Sequence, residues 1–165
     1  MGLWIVQRLR DELDPKPGYE ETWSMAERGR SSAVVDVNAP EFLAPDSMAD
    51  AVREHCRRTG QEVPADAEAL LACAYNSLAE SYAATTREIE RLTGRSYPVI
   101  QIMGGGCRDR LLNRLTGERT GKTINAGPVE ATAIGNILAK MLADGLFPGL
   151  DEARQAVGKS FGAPR

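Results

Sequence analysis

The chain has 165 residues, of which 20 are Lys or Arg and 23 are Asp or Glu, so its formal net charge is -3. With 42% hydrophobic and 26% charged residues, the composition is typical of one folded domain with an apolar core and excludes disordered and collagen-like chains. No apolar run approaches the roughly 18 to 20 residues that cross a bilayer, and acidic and basic side chains are interspersed, so we expect a cytoplasmic protein that binds neither membranes nor nucleic acid.

The first part of the chain predicts one helix and one short strand. Apolar residues recur at helical spacing through residues 3–13, and a Pro- and Gly-rich breaker follows directly. A helix that begins at residue 3 with a buried face is unusual for a true N-terminus. Residues 19–32 form a polar stretch, residues 33–37 (AVVDV) predict a strand, and residues 38–45 predict an ordered loop.

Two helices are predicted in the middle of the chain. Ser47 is a typical N-cap for a helix that ends near Thr59, before Gly60. A longer helix over residues 66–92 has one continuous apolar stripe, which predicts a buried face. The stripe consists of Leu71, Tyr75, Leu78, Tyr82, Ile89 and Leu92.

The last third predicts a strand, a glycine turn and a helix, followed by a second strand and helix. The strands are expected at residues 97–103 and 123–126, and the helices at residues 108–119 and 129–143. Pro128 should occupy the first position of the second helix, with Glu130 in its first turn. This order predicts a parallel strand pair with a crossover helix. A final helix is expected at about residues 150–160.

The Gly104-Gly105-Gly106 turn is the feature that most directly indicates a ligand. Glycines at the carboxyl end of a parallel strand allow close approach of a ligand to the backbone, and the amides of the next helix face the same space. The alternative is a tight turn whose glycines only satisfy positive φ. Asp109 stands where a GxGxxG fingerprint needs glycine, and no GKS or GKT lies at the Walker A spacing after these glycines, so neither dinucleotide nor Walker A motif is present.

Other polar residues are weaker candidates for chemistry. Glu130 and Asp109 could act as acid or base, but carboxylates near a helix start more often complement the helix dipole. Cys107 beside the glycines would have its thiolate favoured by a helix N-terminus, although packing is the simpler reason for a small residue there. Tyr75 and Tyr82 are expected in the core. No set of residues forms a complete active site.

Cysteine and histidine usage argues against a metal site. Cys56, Cys73 and Cys107 make an odd count, typical of reduced thiols, although Cys56 and Cys73, 17 positions apart, could form a disulfide. His55 is the single histidine and no CxxC occurs, so we expect no metal ligation by side chains. Because His55 lies in a basic stretch, we expect it on the surface.

Several motifs together resemble the C-terminal part of the FGGY family of carbohydrate kinases. The likeness rests mainly on MGGGCRDRLLN at residues 103–113 and NAGPVEATAIGNI at residues 125–137. It extends to MGLW with Gln7 at the start, VNAPEFLAP at residues 37–45 and NSLA at residues 76–79. The match therefore covers essentially the whole chain.

The resemblance implies an α/β fold of the ribonuclease-H-like, actin-like ATPase superfamily, in which a small sheet is flanked by several helices. It further implies phosphoryl transfer from ATP, with Mg²⁺, to O1 of L-rhamnulose, with kinases of xylulose, ribulose, fuculose or glycerol as alternatives within the family. In such kinases an N-terminal domain supplies the sugar site and an aspartate base. This chain, over residues 1–165, resembles only the C-terminal, nucleotide-side domain, so we expect the N-terminal domain to be absent and the chain to be inactive alone.

By matching position, the resemblance implies that Gly104, Gly105 and Gly106 line the adenine and ribose and that Gln7 reaches the nucleotide from the other side. Asp109 stands where the family usually has Asn, so its hydrogen bond to the nucleotide would be lost or reversed. No catalytic or metal-binding residue is expected within the chain. Apolar surface exposed by the partial domain predicts a homodimer. A non-catalytic nucleotide-binding module is the alternative from another functional class.

Overall fold

The computed structural model describes residues 2–161, which form several helices and a two-stranded sheet. Single 3₁₀ turns occur at Pro40–Phe42 and Gly105–Arg108. The other elements, in chain order, are α1 (Trp4–Asp11), α2 (Tyr19–Arg28), α3 (Met48–Arg58), α4 (Ala67–Thr93), β1 (Val99–Ile102), α5 (Arg110–Thr120), β2 (Thr123–Ala126), α6 (Ala131–Ala143) and α7 (Leu150–Phe161).

The ends of α3 and α4 confirm the two helices predicted in the middle of the chain, one from its N-cap Ser47 and the other from its apolar stripe. Ser47 Oγ accepts a hydrogen bond from the Asp50 amide at the start of α3, and Asp66 caps α4 through the Ala69 amide. Gly94 ends α4 in the left-handed region, with φ of 65°. Side-chain caps satisfy amides that the first helical turn leaves free, so these boundaries are encoded locally.

Helix α2 was not predicted, because its sequence is mostly polar. Thr22 and Ala26, one helical turn apart, are its buried residues, and the helix packs against α4. Neither residue is strongly apolar, so no apolar stripe marks the buried face.

The strand predicted at residues 33–37 is wrong, although the segment is extended and its alternate residues are buried. Side chains satisfy its backbone in place of a neighbouring strand. Gln61 Oε1 accepts from the Val34 amide at 2.8 Å, and Gln61 Nε2 donates to the Val34 carbonyl at 3.0 Å. The Val35 amide donates to Ser77 Oγ at 2.9 Å.

The parallel pair predicted in the last third is confirmed. β1 and β2 pair in parallel, with Val99 opposite Thr123 and Ile102 opposite Ala126, and α5 forms the crossover. The second helix begins later than predicted. α6 starts at Ala131 and Glu130 is its N-cap, so Pro128 lies in the preceding loop and not at the first helical position.

The core surrounds the first half of α4, where Leu71, Tyr75 and Leu78 are each at most 1% exposed. The predicted stripe does not stay buried along the whole helix, because Ile89 and Leu92 are 47% and 69% exposed. Beyond its first turns, α4 extends past the helices that cover it. None of the helices within residues 2–161 has both the length and the apolar character needed to cross a membrane.

His55 is buried on α3, which corrects the surface position predicted for it. Its Nδ1 lies 2.8 Å from Glu41 Oε1, and its ring packs against Phe42 with centroids 5.4 Å apart. Arg58, one of its basic neighbours in the sequence, lies on the same side of the helix, with a guanidinium nitrogen 3.4 Å from His55 Nδ1 and a contact to Glu41. A charged stretch in the sequence therefore did not mean that the imidazole ring is exposed. Cys56 and Cys73 are buried free thiols.

Candidate functional site

The glycine turn links the carboxyl end of β1 to the start of α5. After the extended Met103, Gly104 adopts φ 77° and ψ -161°, and Gly105–Arg108 form a 3₁₀ turn. The Cys107 amide donates to the Gly104 carbonyl at 3.1 Å. Helix α5 therefore begins at Arg110, two residues later than predicted, and the strand-turn-helix order is confirmed.

The three glycines differ in what requires them. Gly104 lies in a backbone region that is essentially limited to glycine. Gly105 and Gly106 do not have positive φ, and a Cβ added at either position would meet no atom within 4 Å. A tight turn therefore explains Gly104 alone, and the bare backbone at Gly105 and Gly106 faces open space that a ligand could occupy.

A second loop lies beside the turn and supports it. The loop between β2 and α6 receives a hydrogen bond from Gln101 Nε2 to the Gly127 carbonyl at 2.8 Å. The Gly127 amide donates to the Ile102 carbonyl at 2.8 Å, and the Gly104 amide donates to the Pro128 carbonyl at 3.4 Å. The two sequence motifs that carry the family resemblance thus meet at the carboxyl end of the parallel pair, where α/β proteins commonly bind ligands.

A cavity of about 570 Å³ lies next to the turn, between β1, α4 and α5. Its volume falls within the range of about 300 to 1,000 Å³ that is typical of small-molecule sites. Leu3, Tyr82 and Met103 contribute apolar surface, and Gly106 and Asn113 lie on the side of the turn. Its lining is mostly apolar with a few polar groups, which suits a base or a ribose.

Asp109 directly follows the turn but its side chain faces the protein interior. The residue is 6% exposed. Its Oδ1 accepts from the Leu112 amide at 2.9 Å, which caps α5, and its Oδ2 accepts from the Tyr75 hydroxyl at 2.8 Å. Burial and the negative charge of Asp109 both raise the pKa of Tyr75, so the phenol stays protonated and keeps donating.

Gln7 lies on the exposed face of α1 and does not line the cavity beside the turn. It lines a small cavity of about 20 Å³ together with Tyr75 and Asp109. Leu3, one turn earlier on α1, lines both this cavity and the larger one beside Gly106. Gln7 and Asp109 thus line the same small cavity, and Leu3 is the residue that it shares with the larger cavity. The nucleotide contacts of these residues stay predictions.

Sequence reasoning missed two polar contacts that shape the turn. Asn113 Nδ2 donates to the Cys107 carbonyl at 2.9 Å, and Tyr75 is a core residue that also bonds to Asp109. Asn113 belongs to the motif at residues 103–113, which was the available signal. Cys107 itself is half-buried. Glu130 makes no side-chain capping bond to α6.

Comparison with known proteins places these features in a family. The model of the C-terminal domain of the FGGY family of carbohydrate kinases matches residues 1–143. The chain belongs to this family. Its fold is accordingly that of the actin-like ATPases, as the resemblance predicted, and its small parallel sheet flanked by helices agrees with that class.

Relatives of the chain include several bacterial rhamnulokinases. The chain is 38% identical to the rhamnulokinase of Halalkalibacterium halodurans over 165 residues, which is 100% of this chain and 35% of the relative. It is 35% identical to that of Bacillus subtilis over 162 residues, which is 98% of the chain and 33% of the relative. The chain thus spans about a third of the length of the curated relatives it matches.

Proposed function

We propose that this chain forms the nucleotide-binding part of a carbohydrate kinase that transfers the γ-phosphoryl group of MgATP to O1 of L-rhamnulose. One observation carries the nucleotide part of the proposal. A Cβ at Gly105 or Gly106 would meet no atom within 4 Å, so packing within the chain does not require glycine at either position. The space beside them opens next to a cavity of about 570 Å³ that Gly106 lines. The names of the relatives support rhamnulose as the sugar.

In this proposal the adenosine lies against Gly104, Gly105 and Gly106, and Gln7 approaches it from α1. Glycine lets a flat base or ribose contact the backbone at van der Waals distance, which a Cβ would prevent. Asp109 belongs to the same site because its amide donates to the Gly106 carbonyl at 3.1 Å. Within residues 2–161 no group of three possible side-chain ligands lies together. Mg²⁺ would be held mainly by the nucleotide phosphates and water.

Phosphoryl transfer needs groups on both sides of the reacting phosphate. Catalysis depends on in-line placement of the acceptor hydroxyl and on neutralising charge, and a misplacement of about 1 Å can cost about 100-fold in rate. The described part of the chain offers one wall, with no residue placed as a base toward the cavity. We therefore expect the chain alone to bind nucleotide weakly and to catalyse no turnover. The sugar site and the aspartate base would lie in the two thirds that the relatives have in addition.

Titration calorimetry with MgADP tests the nucleotide site directly. We expect the 165-residue chain to bind, and the Gly105→Ala and Gly106→Ala variants to bind at least about tenfold more weakly, because each new Cβ occupies space that the nucleotide would fill. Since neither Cβ meets an atom of the chain, circular dichroism of both variants should match that of the wild type. No binding by a folded wild-type chain would refute the proposal.

Complementation tests the reaction and the sugar. The chain is mixed with the part of the Bacillus subtilis rhamnulokinase that precedes the matched segment, and ADP release is measured with MgATP and each candidate sugar. We expect turnover with L-rhamnulose only when both parts are present. Turnover with xylulose, ribulose, fuculose or glycerol instead would assign another sugar kinase of the family. Nucleotide binding without turnover on any of them would favour a non-catalytic binding module.

We also propose that the isolated chain forms a homodimer through exposed apolar surface. Helix α6 has no buried residue within the described chain. Ile137 on α6, Leu146 after it and Phe161 on α7 are 58%, 64% and 61% exposed. Large apolar patches on soluble domains favour association. Light scattering should show a dimer that Ile137→Glu weakens, and a monomer at high concentration would contradict this.

A further inference from the structure

The hydrogen bond between Tyr75 and Asp109 joins the centre of the core to the end of the glycine turn. Tyr75 belongs to α4 and is 1% exposed, and its hydroxyl donates to Asp109 Oδ2 at 2.8 Å. The other carboxylate oxygen of Asp109 accepts the Leu112 amide at 2.9 Å. Both carboxylate oxygens thus accept hydrogen bonds inside the protein. One bond joins Asp109 to Tyr75, 34 positions earlier in the chain, and the other joins it to Leu112, three positions later.

Backbone hydrogen bonds connect Asp109 to the glycine turn. The Asp109 amide donates to the Gly106 carbonyl at 3.1 Å, and the Asp109 carbonyl accepts the Asn113 amide at 3.0 Å. The Asn113 side chain in turn donates to the Cys107 carbonyl at 2.9 Å. Moving Asp109 would therefore move the peptide groups at Gly106 and Cys107.

We infer that Asp109 is a positioning residue, which acts through Tyr75 to hold Gly104–Gly106 in the shape that binds nucleotide, and which does not itself contact the nucleotide. The inference rests on the proposed function. Asp109 is 6% exposed, and its two carboxylate oxygens accept from the Tyr75 hydroxyl and the Leu112 amide, so the carboxylate is turned away from the adenosine. Turned inward, the same carboxylate caps α5 and holds the turn.

Cys107 is a built-in reporter of the turn. It lies within the turn and is half-buried, whereas Cys56 and Cys73 are fully buried. Burial also raises the pKa of Cys56, and that of Cys73 to about 12, so neither thiol reacts readily in the folded chain. The rate of reaction with Ellman's reagent therefore measures the accessibility of Cys107 in the absence of any nucleotide.

The test replaces the hydroxyl of Tyr75 and measures both the turn and the binding. In Tyr75→Phe we expect Cys107 to react about tenfold faster and MgADP to bind about tenfold more weakly, the factor that corresponds to one lost hydrogen bond to a charged group. Asp109→Asn is the conservative variant. In this variant the side-chain oxygen can still accept from the Leu112 amide, and the side-chain amide can donate to the Tyr75 oxygen. The Cys107 reaction rate and the MgADP affinity should therefore stay within about twofold of the wild type.

Ser77→Ala is the matched control. Ser77 lies on the same helix as Tyr75, and its buried hydroxyl accepts from the Val35 amide and donates to the Cys73 carbonyl, so the substitution removes buried hydrogen bonds that involve neither Asp109 nor the turn. It should change neither the Cys107 rate nor the MgADP affinity. Equal effects of Tyr75→Phe and Ser77→Ala, or no effect of Tyr75→Phe on either readout, would overturn the inference. If the wild type binds no MgADP, the proposed function fails, and the Cys107 rates alone decide whether Asp109 positions the turn.

Discussion

Alanine at Gly104 and alanine at Gly105 should change stability in opposite directions, although the two positions are adjacent. Gly104 has φ 77° and ψ -161°, and a Cβ there meets no atom within 4 Å. The cost of Gly104→Ala is therefore purely backbone strain, about 1 to 3 kcal/mol. Gly105 does not have positive φ and is equally open, so Gly105→Ala mainly restricts the unfolded chain and stabilises by about 0.4 to 1 kcal/mol.

Urea unfolding followed by tryptophan fluorescence and circular dichroism measures this difference. The midpoints of the two variants should move apart while the slope m stays equal to that of the wild type, because neither substitution changes the surface exposed on unfolding. The two variants should then differ by about 1.5 to 4 kcal/mol in free energy of unfolding. Equal midpoints for Gly104→Ala and the wild type would show that the turn does not adopt this backbone conformation.

Three further substitutions test other parts of the fold. Leu78→Ala removes a fully buried side chain from α4 and should lower the free energy of unfolding by about 2 to 5 kcal/mol in urea titrations. Glu12→Ala removes a carboxylate that accepts the Met48 and Ala49 amides at the start of α3, so it should cost about 1 to 3 kcal/mol in the same titrations, whereas an unchanged midpoint would show that this cap is not formed. The hydrogen bond from His55 lowers the pKa of Glu41 below its ordinary value of 4.5. The ionised carboxylate therefore stabilises the fold at pH values above 4.5, and this stabilisation is lost as the pH falls through the lowered pKa. Glu41→Gln should therefore flatten the acid side of the stability profile, and an unchanged profile would exclude this linkage.

Elements with local signals were predictable from the sequence. The caps at Ser47 and Asp66 and the glycine at Gly94 act within one helical turn, so α3 and α4 could be located to within about two residues. The parallel pair was predictable for a related reason. Two short apolar segments separated by a helical segment leave few topologies, and the crossover between parallel strands is almost always right-handed.

Elements decided by tertiary contacts were not predictable. Residues 33–37 have the composition of a strand, but their backbone is satisfied by Gln61 and Ser77, which are 27 and 42 positions away from their partners. No local pattern shows that a side chain will replace a neighbouring strand. The same holds for α2, whose buried face consists of Thr22 and Ala26 and is recognised only by its packing against α4.

At the candidate site, the sequence located the turn but not the direction of its side chains. A motif match assigns a role to a position without giving the direction of its side chain, so Asp109 was predicted to contact the nucleotide. The direction of its carboxylate depends on Tyr75, a residue of the core that no motif connects to it. A buried tyrosine needs a hydrogen-bond partner, and a free amide in the first turn of α5 needs an acceptor. Asp109 meets both requirements, because its two carboxylate oxygens lie 2.8 Å from the Tyr75 hydroxyl and 2.9 Å from the Leu112 amide, and only the three-dimensional arrangement brings these groups together.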